Sequence, residues 1–213
     1  MFRKIVLLIL TPFLLIISWL LLARIVRHFY KFPMPEFLAD FIDNPWRRRM
    51  QPPDETAVRH GIQPGMTVLD IGPGNGTYTI AAARRVGPTG KLFAIDIEPR
   101  MIERVWQKAA DAELDNVYAR VADVYDMPFY ADTFDVITMI AVIGEIPDPD
   151  RALAECTRVL KSNGILAISE LLPDPDSKRP STLRREVEAA GFTYKEKLGS
   201  SFIYSMLFNK KPA

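Results

Sequence analysis

The segment with the clearest capacity for chemistry is Val-Leu-Asp-Ile-Gly-Pro-Gly-Asn-Gly at positions 68–76, where three alternating glycines follow Asp70. Glycines let the backbone turn sharply and approach a bound molecule closely. A helix predicted from Thr77 to Val86 directs its amide-rich N-terminus at the same place, which favours polar ligand groups. In the dinucleotide fingerprint the third glycine comes one residue later. A purely structural turn is the alternative interpretation.

Three further acids lie at the ends of predicted strands or just beyond them. Asp96 lies 24 positions after Gly72, where an acid can accept both hydroxyls of a ribose. Asp123 follows the third strand, in Ala-Asp-Val. Glu145 lies just beyond the fourth strand and is a candidate acid or base that contacts substrate, with a solvated loop carboxylate as the alternative. Because parallel strands end at one edge of a sheet, we expect these acids to lie near one another.

Alternating strands and helices must position these residues. Apolar runs, helical spacing of apolar residues and Gly or Pro breaks predict the following order: strand Val68–Ile71, helix Thr77–Val86, strand Lys91–Ile97, helix Pro99–Ala112, strand Val117–Val121, strand Val136–Ala141, helix Asp150–Leu160, turn Ser162–Gly164, strand Ile165–Glu170, helix Ser181–Ala190, and strands Phe192–Leu198 and Phe202–Asn209. This order predicts an α/β fold with a mainly parallel sheet covered by helices on both faces.

Other polar residues have weaker signals. Tyr78 and Tyr125 either shape the pocket or pack ordinarily, and Glu170, at the end of the fifth strand, is predicted to face the pocket rim. His60 is predicted to be a surface residue before Gly61. Cys156 has apolar neighbours at helical spacing and is predicted to be a core residue.

Composition excludes several classes of function. The net charge of the 213-residue chain is +1, which argues against general nucleic-acid binding. The single cysteine excludes an internal disulfide framework and a cysteine metal cluster, and the two histidines are too few to form a metal site by themselves. We therefore expect no nucleic-acid partner and no bound metal.

The N-terminal region, residues 1–31, is predicted to be a membrane anchor with a basic flank. Ile5–Ala23 is a run of 19 residues without charge, which is about the length of a membrane-spanning helix. A cleaved signal peptide is the alternative, but the apolar run is long and no small-residue cleavage site follows. Positive charges after the span predict a single-pass protein with its following domain on the cytoplasmic side.

Residues 32–60 form a juxtamembrane segment with an apolar face predicted at Phe37, Leu38, Phe41 and Ile42. Arg47–Arg49 follow Trp46, so the segment either lies on an anionic lipid surface or packs on the domain with solvated arginines. It is also a candidate cover for the pocket of the third region, residues 61–213.

The motifs described above resemble, in order, those of the class I S-adenosylmethionine-dependent methyltransferases. Within that class, the chain is similar to the ubiquinone/menaquinone methyltransferase branch over roughly residues 61–209. The resemblance implies a Rossmann-like seven-stranded sheet in the order 3-2-1-4-5-7-6 with its last strand antiparallel, and S-adenosylmethionine as cofactor.

The resemblance also implies a role for individual residues. Gly72, Gly74 and Gly76 admit the methionine part of the cofactor, and Asp70 lies near its ammonium. Asp96 binds the ribose hydroxyls and Ile97 packs on adenine. Asp123 accepts from the adenine amino group and Val124 supplies a backbone amide, while Ile140 and Ala141 border the sulfonium.

Two departures from the family pattern matter. Asn163 replaces a frequent proline, and only about ten residues separate the fifth strand from the last helix, where relatives often place a substrate lid. The segment 37–60 is therefore the candidate replacement for that lid.

An enzyme held at a bilayer meets lipid-soluble molecules, so the expected acceptor is a quinone, a prenyl lipid or a lipid headgroup. A small thiol or metalloid is the alternative acceptor. Two other classes are a membrane-tethered module without catalysis, and a nicotinamide-dependent reductase, against which the glycine spacing and Asp123 argue.

Overall fold

The computed structural model describes residues 43–172 and 174–211, together with Thr11, Leu15, Ser18, Leu22 and Val26. The predicted anchor, residues 5–23, and the apolar face predicted at 37–42 lie outside these residues except at isolated positions. Among the described residues, no helix is both long enough and apolar enough to cross a membrane. The anchor therefore stays a prediction.

The described chain alternates between strands and helices. In order, the elements are α1 (Pro45–Met50), α2 (Pro53–Arg59), β1 (Thr67–Ile71), α3 (Thr77–Val86), β2 (Lys91–Asp96), α4 (Pro99–Asp111), β3 (Val117–Val121), β4 (Phe134–Ile140), α5 (Pro149–Val159), β5 (Leu160–Leu171), α6 (Pro180–Ala189), β6 (Phe192–Gly199) and β7 (Ile203–Lys210). Proline starts every helix except α3, as expected of a residue whose missing amide proton costs nothing at that position.

One seven-stranded sheet runs in the order β3-β2-β1-β4-β5-β7-β6. Strands β1 to β5 are parallel, and β7 pairs antiparallel with both β5 and β6. This confirms the predicted order and the antiparallel last strand. The direction of the crossovers reverses between β1 and β4, and open α/β sheets bind ligands at the carboxyl ends of the strands beside such a reversal.

The sheet has a buried apolar layer on each face. Leu69, Ile137 and Phe134 belong to the layer with helices α5 and α6, whereas Val68, Val136 and Val105 belong to the layer with α3 and α4. Residues adjacent in β1 and β4 thus fall in opposite layers, as the period of a strand requires. Burial on both faces explains why β4 is apolar almost throughout.

The turn predicted at Ser162–Gly164 is wrong, because these residues lie within β5. The pairing advances from Phe134 to Val136 along β4 but from Leu160 to Ile165 along β5, so the extra residues form an irregularity in the ladder. A Cβ on Gly164 would lie 2.6 Å from the Leu160 side chain, which explains the glycine there. The residues Ser162, Asn163 and Gly164, which predicted a turn, therefore form a bulge within the strand.

His60 is not the predicted surface residue, because it is only 1 % exposed. Its ring lies against the sheet, with Nδ1 2.6 Å from Thr138 Oγ1 and Nε2 2.6 Å from Ser169 Oγ. Ser169 Oγ is in turn 2.7 Å from Ser205 Oγ. This row of hydrogen bonds joins the end of α2 to three strands. Burial lowers the pKa of His60 to about 3, so the ring is neutral at physiological pH.

We expect the His60→Gln substitution to remove a pH-dependent part of the protein's stability. In the unfolded chain the imidazole titrates near pH 6.5, whereas in the folded protein it stays neutral down to about pH 3. The unfolded state therefore binds more protons, and stability falls as the pH drops through this window.

Between pH 7.5 and 5.5, the free energy of unfolding of the wild type should fall by about 1.4 kcal/mol more than that of His60→Gln. Urea unfolding of both proteins at the two pH values measures this difference. An equal loss in the two proteins would contradict the buried, neutral imidazole.

Candidate functional site

A cavity of about 320 Å³ opens at the carboxyl ends of β1, β2 and β4. Its wall contains ten of the eleven residues predicted to bind or react: Asp70, Gly72, Gly74, Asp96, Ile97, Asp123, Val124, Ile140, Ala141 and Glu145. These residues come from four separate parts of the chain, which are residues 70–74, 96–97, 123–124 and 140–145. The topology of the sheet brings them together, as the positions of the strand ends predicted.

The glycine loop forms one side of this cavity. Gly72 and Gly74 have φ of +67° and +54°, a region that side chains rarely adopt. A Cβ on Gly72 would lie 2.6 Å from Val142 Cγ2, so the loop and the end of β4 need this glycine to pack. An added Cβ on Gly74 would meet no atom within 4 Å. The backbone at Gly74 is therefore free to be approached by a ligand.

Gly76 does not line the cavity. It is the residue before α3, with φ of +85°, and an added Cβ would lie 3.2 Å from Val105 Cγ2 of α4. The third glycine thus serves the start of α3 and its packing on α4. Its predicted contact with the methionine part of the cofactor stays a prediction, because the packing of this glycine on α4 does not test it.

Asp70 is an acid in an unusual environment, since it is only 2 % exposed yet lines the cavity. Thr79 Oγ1 donates a hydrogen bond of 2.6 Å to its Oδ2. Burial raises the pKa of Asp70 to about 7, and the nearby Asp96 adds to the shift. A carboxyl group with a pKa near 7 is only partly ionised at neutral pH. A cation bound beside it stabilises the ionised form and lowers this pKa.

Asp96 and Asp123 lie farther along the same wall. The Glu98 amide donates a hydrogen bond of 3.0 Å to Asp96 Oδ1, but burial has the larger effect and raises the pKa of Asp96. Asp123 Oδ1 accepts from the Tyr125 amide at 2.9 Å, which fixes the turn after β3. Ile97 follows Asp96 and is 52 % exposed, so it presents apolar surface between the two acids.

The end of β4 carries a backbone outlier. Ala141 has φ of +59°, which is costly for a residue with a Cβ, and its amide donates to the Ser169 carbonyl at 2.9 Å. Beyond it, Gly144 lies against Asp176: a Cβ there would be 2.0 Å from the Asp176 carbonyl oxygen. This close packing holds Glu145 at the cavity wall.

Two of the remaining sequence candidates also line the cavity. Tyr78 Oη donates to the Gln51 carbonyl at 2.9 Å, and Tyr125 Oη accepts from the Asp148 amide at 2.8 Å. Both rings therefore pack and shape the wall at once. Cys156 is fully buried in the core, as predicted, and burial raises its pKa.

Glu170 does not face the cavity rim, so that prediction is wrong. Its carboxyl is buried away from the cavity, and burial together with Asp174 raises its pKa well above the usual range. Tyr204, its partner across β5 and β7, donates a hydrogen bond to the Lys178 carbonyl. Glu170 thus belongs with the packing of residues 174–178 beside the sheet.

Asp43 and Arg47 line the cavity but were not predicted as site residues. Asp43 Oδ2 accepts from Thr77 Oγ1 at 2.5 Å and from Arg48 Nη2 at 2.8 Å, so the segment is pinned to the first residue of α3. The sequence pointed to this segment in one way only. The connection after β5 is too short for the usual lid, so residues 37–60 were a candidate cover for the cavity. The structure places part of that segment on the wall.

The wall suits a cationic nucleoside. It combines a bare backbone at Gly74, buried acids and the apolar Ile97, in a volume at the lower end of the range for small-molecule sites. These features fit S-adenosylmethionine, which carries a ribose diol, an adenine ring, an ammonium and a sulfonium.

Comparison with known proteins agrees with this fit. Residues 62–202 match the protein family described as a methyltransferase domain. A demethylmenaquinone methyltransferase of Halalkalibacterium halodurans is 33 % identical over 119 residues, which are 56 % of this chain and 46 % of that protein. An arsenite methyltransferase of Halobacterium salinarum is 33 % identical over 118 residues, 54 % of this chain and 30 % of that protein. The chain thus spans less than half the length of these relatives.

Among solved structures, a SAM-dependent methyltransferase from Aquifex aeolicus superposes with a TM-score of 0.77 at 26 % identity. The superposition covers 83 % of this chain and 98 % of that one. The chain therefore belongs to the methyltransferase domain family, and it has the fold and the cofactor of the S-adenosylmethionine-dependent methyltransferases.

Proposed function

We propose that this protein transfers a methyl group from S-adenosylmethionine to a lipophilic acceptor at a membrane. The observation that carries the methyl transfer is the cavity at the carboxyl ends of β1, β2 and β4, where a bare glycine backbone faces buried acids. Two features support the acceptor class: the predicted span at residues 5–23, and a relative named as a demethylmenaquinone methyltransferase.

Each cavity residue has a proposed task. Asp70 attracts the ammonium, and the loop at Gly72 and Gly74 lets the methionine part come close. Asp96 accepts from the ribose hydroxyls. Ile97 and Val124 enclose the adenine, whose amino group donates to Asp123. Each assignment rests on the position of the residue on the cavity wall.

The cofactor, when bound, supplies a methyl group that is already activated by the positive sulfur. The protein then needs chiefly to orient the acceptor and to exclude water. Ile140 and Ala141 border that end of the cavity, and Ile146 adds an apolar wall beside them. Glu145 is placed to accept a proton from the acceptor or to position it by a hydrogen bond.

The helix α1 supports a position at the membrane surface. Arg47 faces the cavity, while Trp46 is 73 % exposed and Met50 is 39 % exposed on the same short helix. Exposed Trp and Met beside arginines suit an interface with anionic lipid. One side of α1 can therefore line the cavity through Arg47 while Trp46 and Met50 contact lipid. With the anchor oriented as predicted, the domain lies on the cytoplasmic side.

We expect cofactor affinity to depend on the ionisation of Asp70. Its pKa of about 7 means that the carboxyl is mostly neutral at pH 6 and mostly ionised at pH 7.5. Only the ionised form attracts the ammonium, so the dissociation constant should fall roughly tenfold between these two pH values. Isothermal titration of the full chain with S-adenosylmethionine measures it.

Two comparisons make this prediction specific. Asp70→Asn keeps the shape of the side chain and should bind weakly at both pH values. The ligand 5′-methylthioadenosine has neither the ammonium nor the sulfonium, and its affinity should change little with pH. A wild-type affinity for S-adenosylmethionine that is the same at pH 6 and 7.5 would remove Asp70 from this role.

A labelling experiment tests the acceptor. The full chain in lipid nanodiscs is incubated with methyl-labelled S-adenosylmethionine and with either a lipid extract or an aqueous metabolite extract. We expect label in the lipid extract, and we expect less of it with Glu145→Gln, while the dissociation constant of the cofactor is unchanged.

Other outcomes contradict the proposal in different ways. Label confined to the aqueous extract would indicate a small thiol or a metalloid as acceptor, as the arsenite methyltransferase relative suggests. The only cysteine, Cys156, is fully buried, so no protein thiolate faces the cavity to capture a metalloid. Cofactor binding without label in either extract would indicate a module without catalysis.

A further inference from the structure

The charges around the cavity are strongly unequal. Among the described residues that line it, six are acids: Asp43, Asp70, Asp96, Glu98, Asp123 and Glu145. Arg47 is the single Lys or Arg in the same set. A wall of this kind attracts the positive groups of a ligand at many points but can attract a negative group at one point only.

Arg47 is held in place by its neighbours. Its backbone amide donates to Asn44 Oδ1 at 3.0 Å, which caps the start of α1. Its guanidinium carbon lies 5.6 Å from the centre of the Tyr78 ring, within the range of a cation–π contact. The Nε atom is buried and has no hydrogen-bond partner among the described residues. A guanidinium offers five donors, so this side chain has unused capacity beside the cavity.

The acid of this segment that lines the cavity, Asp43, already has partners. Asp43 accepts two hydrogen bonds from the Arg48 guanidinium, at 3.0 and 2.8 Å, and one from Thr77 Oγ1. Lys108 Nζ lies 4.0 Å from the same carboxylate. None of the ion pairs between described residues includes Arg47. Its guanidinium has a hydrogen bond with the neutral Tyr78, so no carboxylate among the described residues balances its positive charge.

The position of Arg47 selects which part of the cofactor it meets. Tyr78, under its guanidinium, is the second residue of α3 and follows the glycine loop directly. In the binding mode proposed above, Asp96 and Asp123 meet the nucleoside, and the glycine loop meets the methionine part. S-adenosylmethionine has one anionic group, the carboxylate of its methionine part.

We propose that Arg47 binds the methionine carboxylate of S-adenosylmethionine, so that a residue of the N-terminal segment completes the cofactor site. The bonding is that of a guanidinium with a carboxylate, which is strong because both partners are charged. This inference rests on the cofactor and not on the identity of the acceptor. Its failure would leave the proposed acceptor untouched.

Titration with two ligands tests the proposal. Decarboxylated S-adenosylmethionine keeps the nucleoside, the sulfonium and the amine but lacks the carboxylate. For the full chain, Arg47→Gln should raise the dissociation constant of S-adenosylmethionine about 10- to 100-fold, the range of charged hydrogen bonds. The same substitution should leave that of the decarboxylated ligand within about twofold. Arg47→Lys should restore part of the affinity, since a point charge remains.

The matched control is Arg49→Gln, which removes an exposed arginine from the same helix without touching the cavity. It should alter neither dissociation constant. An equal loss of affinity for both ligands in Arg47→Gln would show that the arginine only supports the shape of the wall, and would overturn the proposal. Unchanged affinity for S-adenosylmethionine would also overturn it, since the carboxylate would then be bound by other donors.

Discussion

The close approach of Gly72 to the end of β4 is the constraint on which the site depends. Adjacent parallel strands β1 and β4 end side by side, and the chain leaves them toward opposite sides of the sheet. A crevice remains between the two exits. Any Cβ at Gly72 would collide with Val142, and any side chain at Gly74 would enter the crevice. The sequence keeps this space open by omitting side chains at two positions.

Around that space the protein places acids whose charge is costly where they stand. Asp70 is almost fully buried, and its pKa rises because water is excluded and Asp96 lies nearby. A positive ligand lowers that cost, so part of its binding energy comes from relieving the protein's own electrostatic penalty. An acidic wall cannot hold a negative group, however. The cation must come from another part of the chain, and α1 brings it.

Local signals were sufficient for most of the fold and for the floor of the site. The glycine loop, the apolar run of β4, and the acids at the end of β2 and after β3 are each recognisable from neighbouring residues, so the sequence alone located them. His60 could not be located in this way, because its partners lie 78 and 109 positions away. Glu170 was misplaced because successive side chains of a strand point to opposite faces, and its carboxyl is buried instead of lining the cavity. Arg47 lies on a six-residue helix, which is too short for the spacing of its apolar residues to show which side faces the domain.

The hydrogen-bonded row of His60, Thr138, Ser169 and Ser205 limits how far the chain can be shortened. The family match begins at residue 62, two positions after His60. A fragment cut there would lose the imidazole that is hydrogen-bonded to Thr138 and Ser169, together with Thr56 and Ala57 of α2, which are buried. It would also end before β7, the strand that joins β5 to β6, if it stopped at residue 202. The contacts that hold the domain together therefore extend beyond the family match, from Asp43, which is hydrogen-bonded to Thr77 of α3, to Lys210 at the end of β7.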